Sequence, residues 1–180
     1  FVLHDDDGPA SRWARQAQPG AAIGVAGPGG PARFLPDADH FLLIGDPSAY
    51  AVMAASLAAL PAGARGQVLM EVAQPDEVLP LQAPPAMAVR WLCRHGTRAA
   101  VSTLLLDAVR AMPWPDGKVS VTLAGESTQL VRLRDFLLQQ RGLARQHLYA
   151  VPYWKDQHTE EAYHAERHRI MDEMEESEPA

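Results

Sequence analysis

Three short polar stretches have residue types that could bind a ligand, because each follows an apolar run and precedes a helix-forming or polar segment. They are residues 45–48 (GDPS), 125–128 (GEST) and 153–155 (YWK). Glycine lets a backbone approach a ligand closely, and Ser or Thr hydroxyls beside helix N-terminal amides can hold phosphate or ribose. The competing interpretation is that the first two are ordinary strand-to-helix turns with N-caps and that the third is a strand edge without a role.

Other candidates for covalent or nucleotide chemistry are weaker. Cys93 ends an apolar run and is expected to be a small core residue. Ser11 and Ser48 have no nearby histidine base and no G-x-S-x-G elbow. No G-x-G-x-x-G follows a strand, and the glycine-rich residues 27–30 (GPGG) precede one instead. A standard dinucleotide fingerprint is therefore absent, and no catalytic side chain is predicted.

Metal-ligand spacing occurs once, on the last helical segment. His164 and His168 are four residues apart, and Glu161 lies one turn earlier. This spacing can hold Zn²⁺, but neither an H-E-x-x-H motif nor a third ligand is evident. The alternating charges of this segment favour a solvated helix face. The three acidic residues Asp5 to Asp7 could also suggest a cation site, but they are more typical of a polar turn. No metal site is therefore predicted.

The elements that position these stretches alternate regularly after residue 37. Strands are predicted at residues 41–46, 66–73, 88–93, 118–126 and 147–154, and helices at 47–60, 101–112, 127–142 and 159–176. The fold class is therefore α/β, with a five-stranded, mainly parallel sheet flanked by helices. Such sheets bind ligands beyond the carboxyl ends of their strands, which is where the polar stretches lie.

Residues 1–36 do not show this strand–helix alternation. A short helix is predicted over residues 12–17 with Ser11 as its N-cap, and the glycine-rich residues 20–35 suit strands with tight turns. We therefore predict two domains, at residues 1–36 and 37–180.

Composition excludes several classes of protein. The 180 residues are 47% hydrophobic and carry 22 acidic against 16 basic side chains, a net charge of −6, which argues against a nucleic-acid partner. No apolar run is long enough to insert into a membrane. The single cysteine fits a reducing compartment, and the first residues do not form a signal peptide, so a cytoplasmic location is expected.

Several separate stretches resemble, in order and spacing, the siderophore-interacting proteins, which are flavin-dependent ferric-siderophore reductases of the ferredoxin-reductase superfamily. The matching stretches are residues 8–30, 41–49, 60–73, 105–126 and 149–166. The resemblance implies an NAD(P)H-binding α/β domain preceded by the remnant of a flavin-binding β-barrel. It also implies FAD, either NADPH or NADH, and a ferric siderophore as ligands.

The resemblance also assigns residues to these ligands. It places at FAD the residues His4, Gly8, Ala10, Ser11 and Trp13. It places at the nicotinamide nucleotide the residues Gly45, Asp46, Ser48, Ala49, Gly125, Glu126 and Ser127. Trp154 and Lys155 match the edge of the active-site cleft, where a cation beside aromatic rings suits an anionic catecholate siderophore; a cofactor phosphate is the alternative partner of Lys155.

The leading interpretation is a ferric-siderophore reductase that passes electrons from NAD(P)H through FAD to Fe(III). The alternatives are a flavin reductase with another acceptor and a siderophore- or nucleotide-binding module. The barrel segment that contacts the flavin ring in this family lies upstream of Phe1, so this chain is expected to bind FAD poorly. The sequence does not indicate an oligomeric state.

Overall fold

The structure is a computed structural model that describes residues 9–25 and 34–175. The chain divides into two compact units, residues 1–31 and 32–180. Each unit is described by itself. The domain boundary between residues 36 and 37 stays a prediction.

The first unit contains one described helix, α1 (Pro9–Gln16). It begins before the predicted helix, because proline suits the first turn of a helix. Ser11 therefore lies inside α1, where it is buried, and the prediction that it is the N-cap is wrong. Residues 21–25 form no strand, contrary to prediction, and residues 26–33 lie outside the described residues.

The second unit contains a parallel five-stranded sheet. Its strands are β1 (His40–Gly45), β2 (Arg65–Val72), β3 (Ala86–Cys93), β4 (Val119–Glu126) and β5 (Leu148–Trp154). They are arranged in the order β3-β2-β1-β4-β5, and all four pairings are parallel. The predicted fold class is confirmed, and the carboxyl ends of all five strands meet at one edge.

The helices of this unit are α2 (Tyr50–Ala59), α3 (Leu104–Ala111), α4 (Ser127–Gln139) and α5 (Glu160–Glu175). Two predicted helices begin later than expected, because 3-10 turns at Pro47–Ala49 and Ala99–Val101 come before them. The first of these turns forms because the Asp46 side chain accepts a hydrogen bond from the Ser48 N–H.

Two apolar cores lie on opposite faces of the sheet. Alternate residues of β1 supply both, since successive side chains of a strand point to opposite faces. Leu42 and Ile44 pack with residues of α3, α4 and α5, whereas Phe41 and Leu43 pack with residues of α2. Helices thus cover both faces, and the carboxyl edge is left to its connecting loops.

None of the helices within residues 9–25 and 34–175 combines the length and the apolar character needed to cross a membrane.

Candidate functional site

One buried carboxylate joins the three predicted polar stretches. Asp46 is 6% exposed. Its Oδ1 accepts hydrogen bonds from the N–H of Ser48 at 2.9 Å and from the Ser48 hydroxyl at 2.5 Å. Its Oδ2 accepts from the N–H of Glu126 at 2.8 Å and from the indole Nε1 of Trp154 at 2.8 Å. The ends of β1, β4 and β5 are therefore fixed to one another.

The two glycines of these turns are required by the protein's own packing. A Cβ on Gly45 would lie 2.7 Å from the carbonyl oxygen of Ala124, and one on Gly125 would lie 2.6 Å from Oδ2 of Asp46. Gly125 also has a φ of +144°, which side-chain-bearing residues rarely adopt. A close approach to a ligand, which the sequence suggested as the reason for these glycines, is not needed to explain them.

Glu126 begins α4 and also fixes the end of β5. Its Oε2 accepts from the N–H of Gln129 at 2.9 Å, which makes Glu126 the N-cap of α4. Its Oε1 accepts from the N–H of Asp156 at 3.2 Å. Ser127, the first residue of the predicted helix, lies buried in the first turn, and Glu126 takes the N-cap position.

Lys155 stands between two anchored neighbours. Trp154 is bound to Asp46, and Oδ2 of Asp156 accepts from the N–H of Ala100 and from Nε of Arg98, each at 3.2 Å. The Lys155 side chain is 24% exposed, and its Nζ lies 2.6 Å from both carboxylate oxygens of Glu166 on α5. The backbone position of Lys155 is thus fixed, while its ammonium group contacts a partner that is itself a third exposed.

A second buried polar cluster lies at the end of β2 and was not predicted. Glu71 is 1% exposed and accepts from the Ser102 hydroxyl at 2.7 Å and from Nε2 of Gln129 at 2.9 Å. It also forms an ion pair with Nε of Arg94 at 3.0 Å. Gln129 also donates to the carbonyl oxygen of Ala99 at 2.8 Å. The signal in the sequence was a lone glutamate inside the apolar run GQVLMEVA, since buried acids need partners.

Burial governs the ionisation of both acids. It raises the pKa of Asp46, against hydrogen bonds from Ser48, Trp154 and Glu126 that favour the carboxylate. It likewise raises the pKa of Glu71, against hydrogen bonds from Ser102 and Gln129 and the charge of Arg94. Both carboxylates are surrounded by donors, so their first role is to hold the loops of the carboxyl edge together.

The remaining predicted cofactor residues differ in what they can offer. The side chain of Ala49 is buried in the core, and its N–H donates to the carbonyl oxygen of Asp46. Ala49 is also the N-cap residue of α2, a position whose carbonyl accepts the first hydrogen bond of the helix, so the residue offers little to a nucleotide. In the first unit, Ala10 is exposed and Trp13 is half-buried on α1. Two further predicted residues and the GPGG stretch lie outside the described residues: His4, Gly8 and residues 27–30.

The expected core position of Cys93 is wrong. The residue is half-buried, and its Sγ lies 3.5 Å from the carbonyl oxygen of Ala73 and 3.6 Å from Nδ1 of His95. The strand ends at this residue, so its side chain faces the following loop.

Residues that could hold a nicotinamide nucleotide border the two buried clusters. The side chains of Ser48 and Thr128 are half-buried. The Thr128 hydroxyl suits ribose, whereas the Ser48 hydroxyl already donates to Asp46 and could only accept a hydrogen bond from ribose. Arg98, with a side chain 51% exposed, and Lys155 are cations that suit phosphate, although each already contacts a carboxylate. These side chains could hold a nucleotide if its phosphates replaced Asp156 as the partner of Arg98 and Glu166 as the partner of Lys155.

The first turn of α1 is the described part of the first unit that could hold a pyrophosphate. The helix α1 spans Pro9–Gln16, so its first described turn contains the predicted residues Ala10 and Ser11. A helix N-terminus of this kind favours anions.

Comparison with known proteins gives a consistent result. The family model described as siderophore-interacting protein matches residues 38–157, and that described as siderophore-interacting FAD-binding domain matches residues 1–32. Ferric vibriobactin reductase ViuB of Vibrio cholerae serotype O1 is 37% identical over 175 residues, which are 96% of this chain and 64% of that protein. The chain therefore spans slightly less than two thirds of this relative.

Solved structures agree with this match. The siderophore-interacting protein SipS from Aeromonas hydrophila superposes with a TM-score of 0.83 at 32% identity, covering 96% of this chain and 67% of that one. A siderophore utilization protein from T. fusca gives a TM-score of 0.75 at 37% identity, covering 88% and 60% of the two chains. The resemblance inferred from the sequence is confirmed, and the chain belongs to the siderophore-interacting protein family.

Proposed function

We propose that the chain works in a ferric-siderophore reductase that moves electrons from NADH or NADPH through FAD to Fe(III). The observation that carries the proposal is the placement of Lys155. It is held between Trp154 and Asp156, both anchored at the carboxyl edge where parallel sheets bind ligands. Membership of the siderophore-interacting family and the identity to a ferric vibriobactin reductase support a ferric chelate as the substrate.

Lys155 would meet the anionic chelate. Its Nζ now contacts Glu166, whose side chain is 33% exposed and can turn to solvent. A chelate with several negative charges would compete with this single carboxylate for the ammonium group. The half-buried Trp154 beside it would offer an apolar surface to the aromatic rings of a catecholate.

The nicotinamide nucleotide would bind along the same edge. Ser48 and Thr128 would hold ribose hydroxyls, and Arg98 would hold a phosphate after leaving Asp156. The buried acids Asp46 and Glu126 would not touch it, because their oxygens are occupied by hydrogen bonds within the protein. They would keep the turns rigid and so fix the distance between donor and acceptor.

FAD would be held in part by the first turn of α1, which contains Ala10 and Ser11, because a helix N-terminus favours an anion such as its pyrophosphate. When bound, this cofactor accepts a hydride and returns electrons singly, which joins a two-electron donor to a one-electron acceptor. The match of residues 1–32 to a siderophore-interacting FAD-binding domain supports this assignment.

The reaction needs no acid or base from this chain. One nicotinamide supplies two electrons, which reduce two Fe(III) ions to Fe(II), and the proton released goes to solvent. Fe(II) is held less tightly by the hard oxygen ligands of a siderophore, so the metal leaves. The task of the protein is to position donor, flavin and chelate, which agrees with the lack of a predicted catalytic dyad.

The test compares two lysine variants in the full natural protein supplied with FAD. Lys155→Ala should raise the KM for a ferric catecholate roughly ten- to hundredfold, the loss expected for a charge-assisted contact. Lys118→Ala is the matched control, since Lys118 is also ion-paired, to Asp37 at 2.5 Å, but lies just before β4 at the opposite edge. An unchanged KM for both chelate and nicotinamide in Lys155→Ala would remove Lys155 from the site.

A further inference from the structure

The exposed face of α5 carries two histidines whose ring nitrogens point at each other. His164 and His168 lie four residues apart, and both are exposed. Their Nε2 atoms are 3.2 Å apart, with ring centroids separated by 4.4 Å and the ring planes inclined at 57°. Spacing of four residues brings two side chains together on one helix face, but it does not by itself bring the same nitrogen of each ring to within 3.2 Å of the other.

The separation of the nitrogens matches that of two ligands on one metal ion. Zinc–nitrogen bonds of about 2.0–2.1 Å at a tetrahedral angle place two nitrogens about 3.3–3.4 Å apart. With the same bonds, a right-angled octahedral pair would be about 2.9 Å apart. The observed 3.2 Å lies between these values. We propose that His164 and His168 form a binding site for a divalent transition-metal ion that prefers imidazole ligands.

The charges around the pair favour a cation. Glu161 precedes His164 by three residues and Asp172 follows His168 by four, spacings at which side chains of a helix are neighbours. The nearby Arg167 is engaged with Glu160 at 2.6 Å. The carboxylates attract the ion without ligating it, because the described residues contain no group of three or more possible metal ligands. Water would complete the coordination, so the site is open to exchange.

Without metal, a hydrogen bond across this separation requires a proton on Nε2 of one ring and a lone pair on Nε2 of the other. Binding replaces that shared proton with a metal ion, and each ring then carries its proton on Nδ1. Imidazole nitrogen suits Zn²⁺, Ni²⁺ and Cu²⁺, whereas Mg²⁺ and Ca²⁺ prefer oxygen ligands. The inference concerns a face of α5 that the proposed reduction does not use.

The test is calorimetric titration of the full chain with ZnCl₂ and, separately, NiCl₂, with MgCl₂ as the hard-cation control. One ion of Zn²⁺ or Ni²⁺ should bind per chain, and Mg²⁺ should not. His164→Gln and His168→Gln should each weaken the binding by at least about tenfold, the loss that even an outer partner of a metal ligand can cause. His158→Gln is the matched control, since His158 is also exposed and lies just before α5; it should leave the binding unchanged.

A second measurement detects metal binding at the same site by hydrogen exchange in α5. A metal bridge between residues one turn apart restrains that turn, so ZnCl₂ should slow hydrogen exchange in the segment around residues 164–168 of the wild type and not of either glutamine variant. Zinc binding that is as tight in His164→Gln and His168→Gln as in the wild type, or no binding by the wild type, would overturn the proposal.

Discussion

The indole Nε1 of Trp154 donates a 2.8 Å hydrogen bond to Oδ2 of Asp46, across 108 residues of chain. This bond fixes the end of the last strand to the end of the first. Because the N–H of Glu126 donates to the same oxygen, the ends of β4 and β5 share one acceptor, which the residue after β1 supplies. The carboxylate therefore holds the strand ends together, and in the proposed function the ligands would be bound by the side chains that border it.

Trp154→Phe tests the hydrogen bond between Trp154 and Asp46 directly. The variant keeps an aromatic ring but leaves the buried Oδ2 of Asp46 with one donor fewer. A buried acceptor that loses a hydrogen bond costs about 1–3 kcal/mol, so the free energy of unfolding should fall by that amount. Urea unfolding measures it, with Trp91→Phe on β3 as the matched control. Equal effects of the two variants would show that loss of indole packing, and not the hydrogen bond, explains the change.

Gly125→Ala should destabilise the same junction. The added Cβ would meet Oδ2 of Asp46 at 2.6 Å, and alanine would have to adopt a φ of +144°. A residue held in such a backbone conformation costs about 1–3 kcal/mol, and the clash adds to this. Gly63→Ala is the control, because nothing lies within 4 Å of its added Cβ. Thermal unfolding that changes as little for Gly125→Ala as for Gly63→Ala would contradict the geometry described.

The buried Glu71 predicts a pH dependence of stability. Burial raises its pKa in the folded state, so the folded chain takes up the proton more readily than the unfolded one. Deprotonation of Glu71 then lowers the free energy of unfolding. The stability that the protonated carboxyl contributes is lost as pH rises from the ordinary pKa of glutamate through the raised pKa of Glu71. Glu71→Gln removes the titration but keeps hydrogen-bonding groups for Ser102 and Gln129.

The measurement for Glu71 is urea unfolding of both proteins across acidic to neutral pH. The stability of the wild type relative to Glu71→Gln should fall as pH rises through that window and then stay level. A relative stability that instead grows with pH would show that Arg94 holds the pKa below its ordinary value.

Apolar runs and strand–helix alternation were enough to predict the five strands, because a parallel sheet buried on both faces leaves a strong pattern. The polar stretches were also predicted to meet, since carboxyl ends of parallel strands share an edge. The partners within the site were not predictable. Glu126, and not Ser127, caps α4 because a strand end must turn before a helix can begin, and that turn is set by tertiary contacts. Likewise, the residues next to Lys155 in the sequence do not predict its ion pair with Glu166. That pair forms because α5, which carries Glu166, packs beside the end of β5.

Glu166→Gln tests whether the contact with Lys155 restrains ligand binding. Removing the carboxylate charge releases the ammonium group, at a stability change within about 1 kcal/mol for a pair that is partly exposed. The KM for an anionic ferric chelate should fall, because the chelate no longer competes with Glu166. Steady-state kinetics with a neutral electron acceptor provide the control, for which KM should not change. A rise in KM for the chelate would show that Glu166 itself supports the site.

The most direct test of the proposed reductase is the ratio of Fe(II) formed to nicotinamide oxidised by the full natural protein. Anaerobic protein supplied with FAD, NADH or NADPH and a ferric catecholate would be followed with a chromogenic Fe(II) chelator. The account predicts a ratio of about two, since a two-electron donor serves a one-electron acceptor. Nicotinamide oxidation without Fe(II) would instead indicate a flavin reductase with another acceptor, and the absence of both would contradict an enzymatic role.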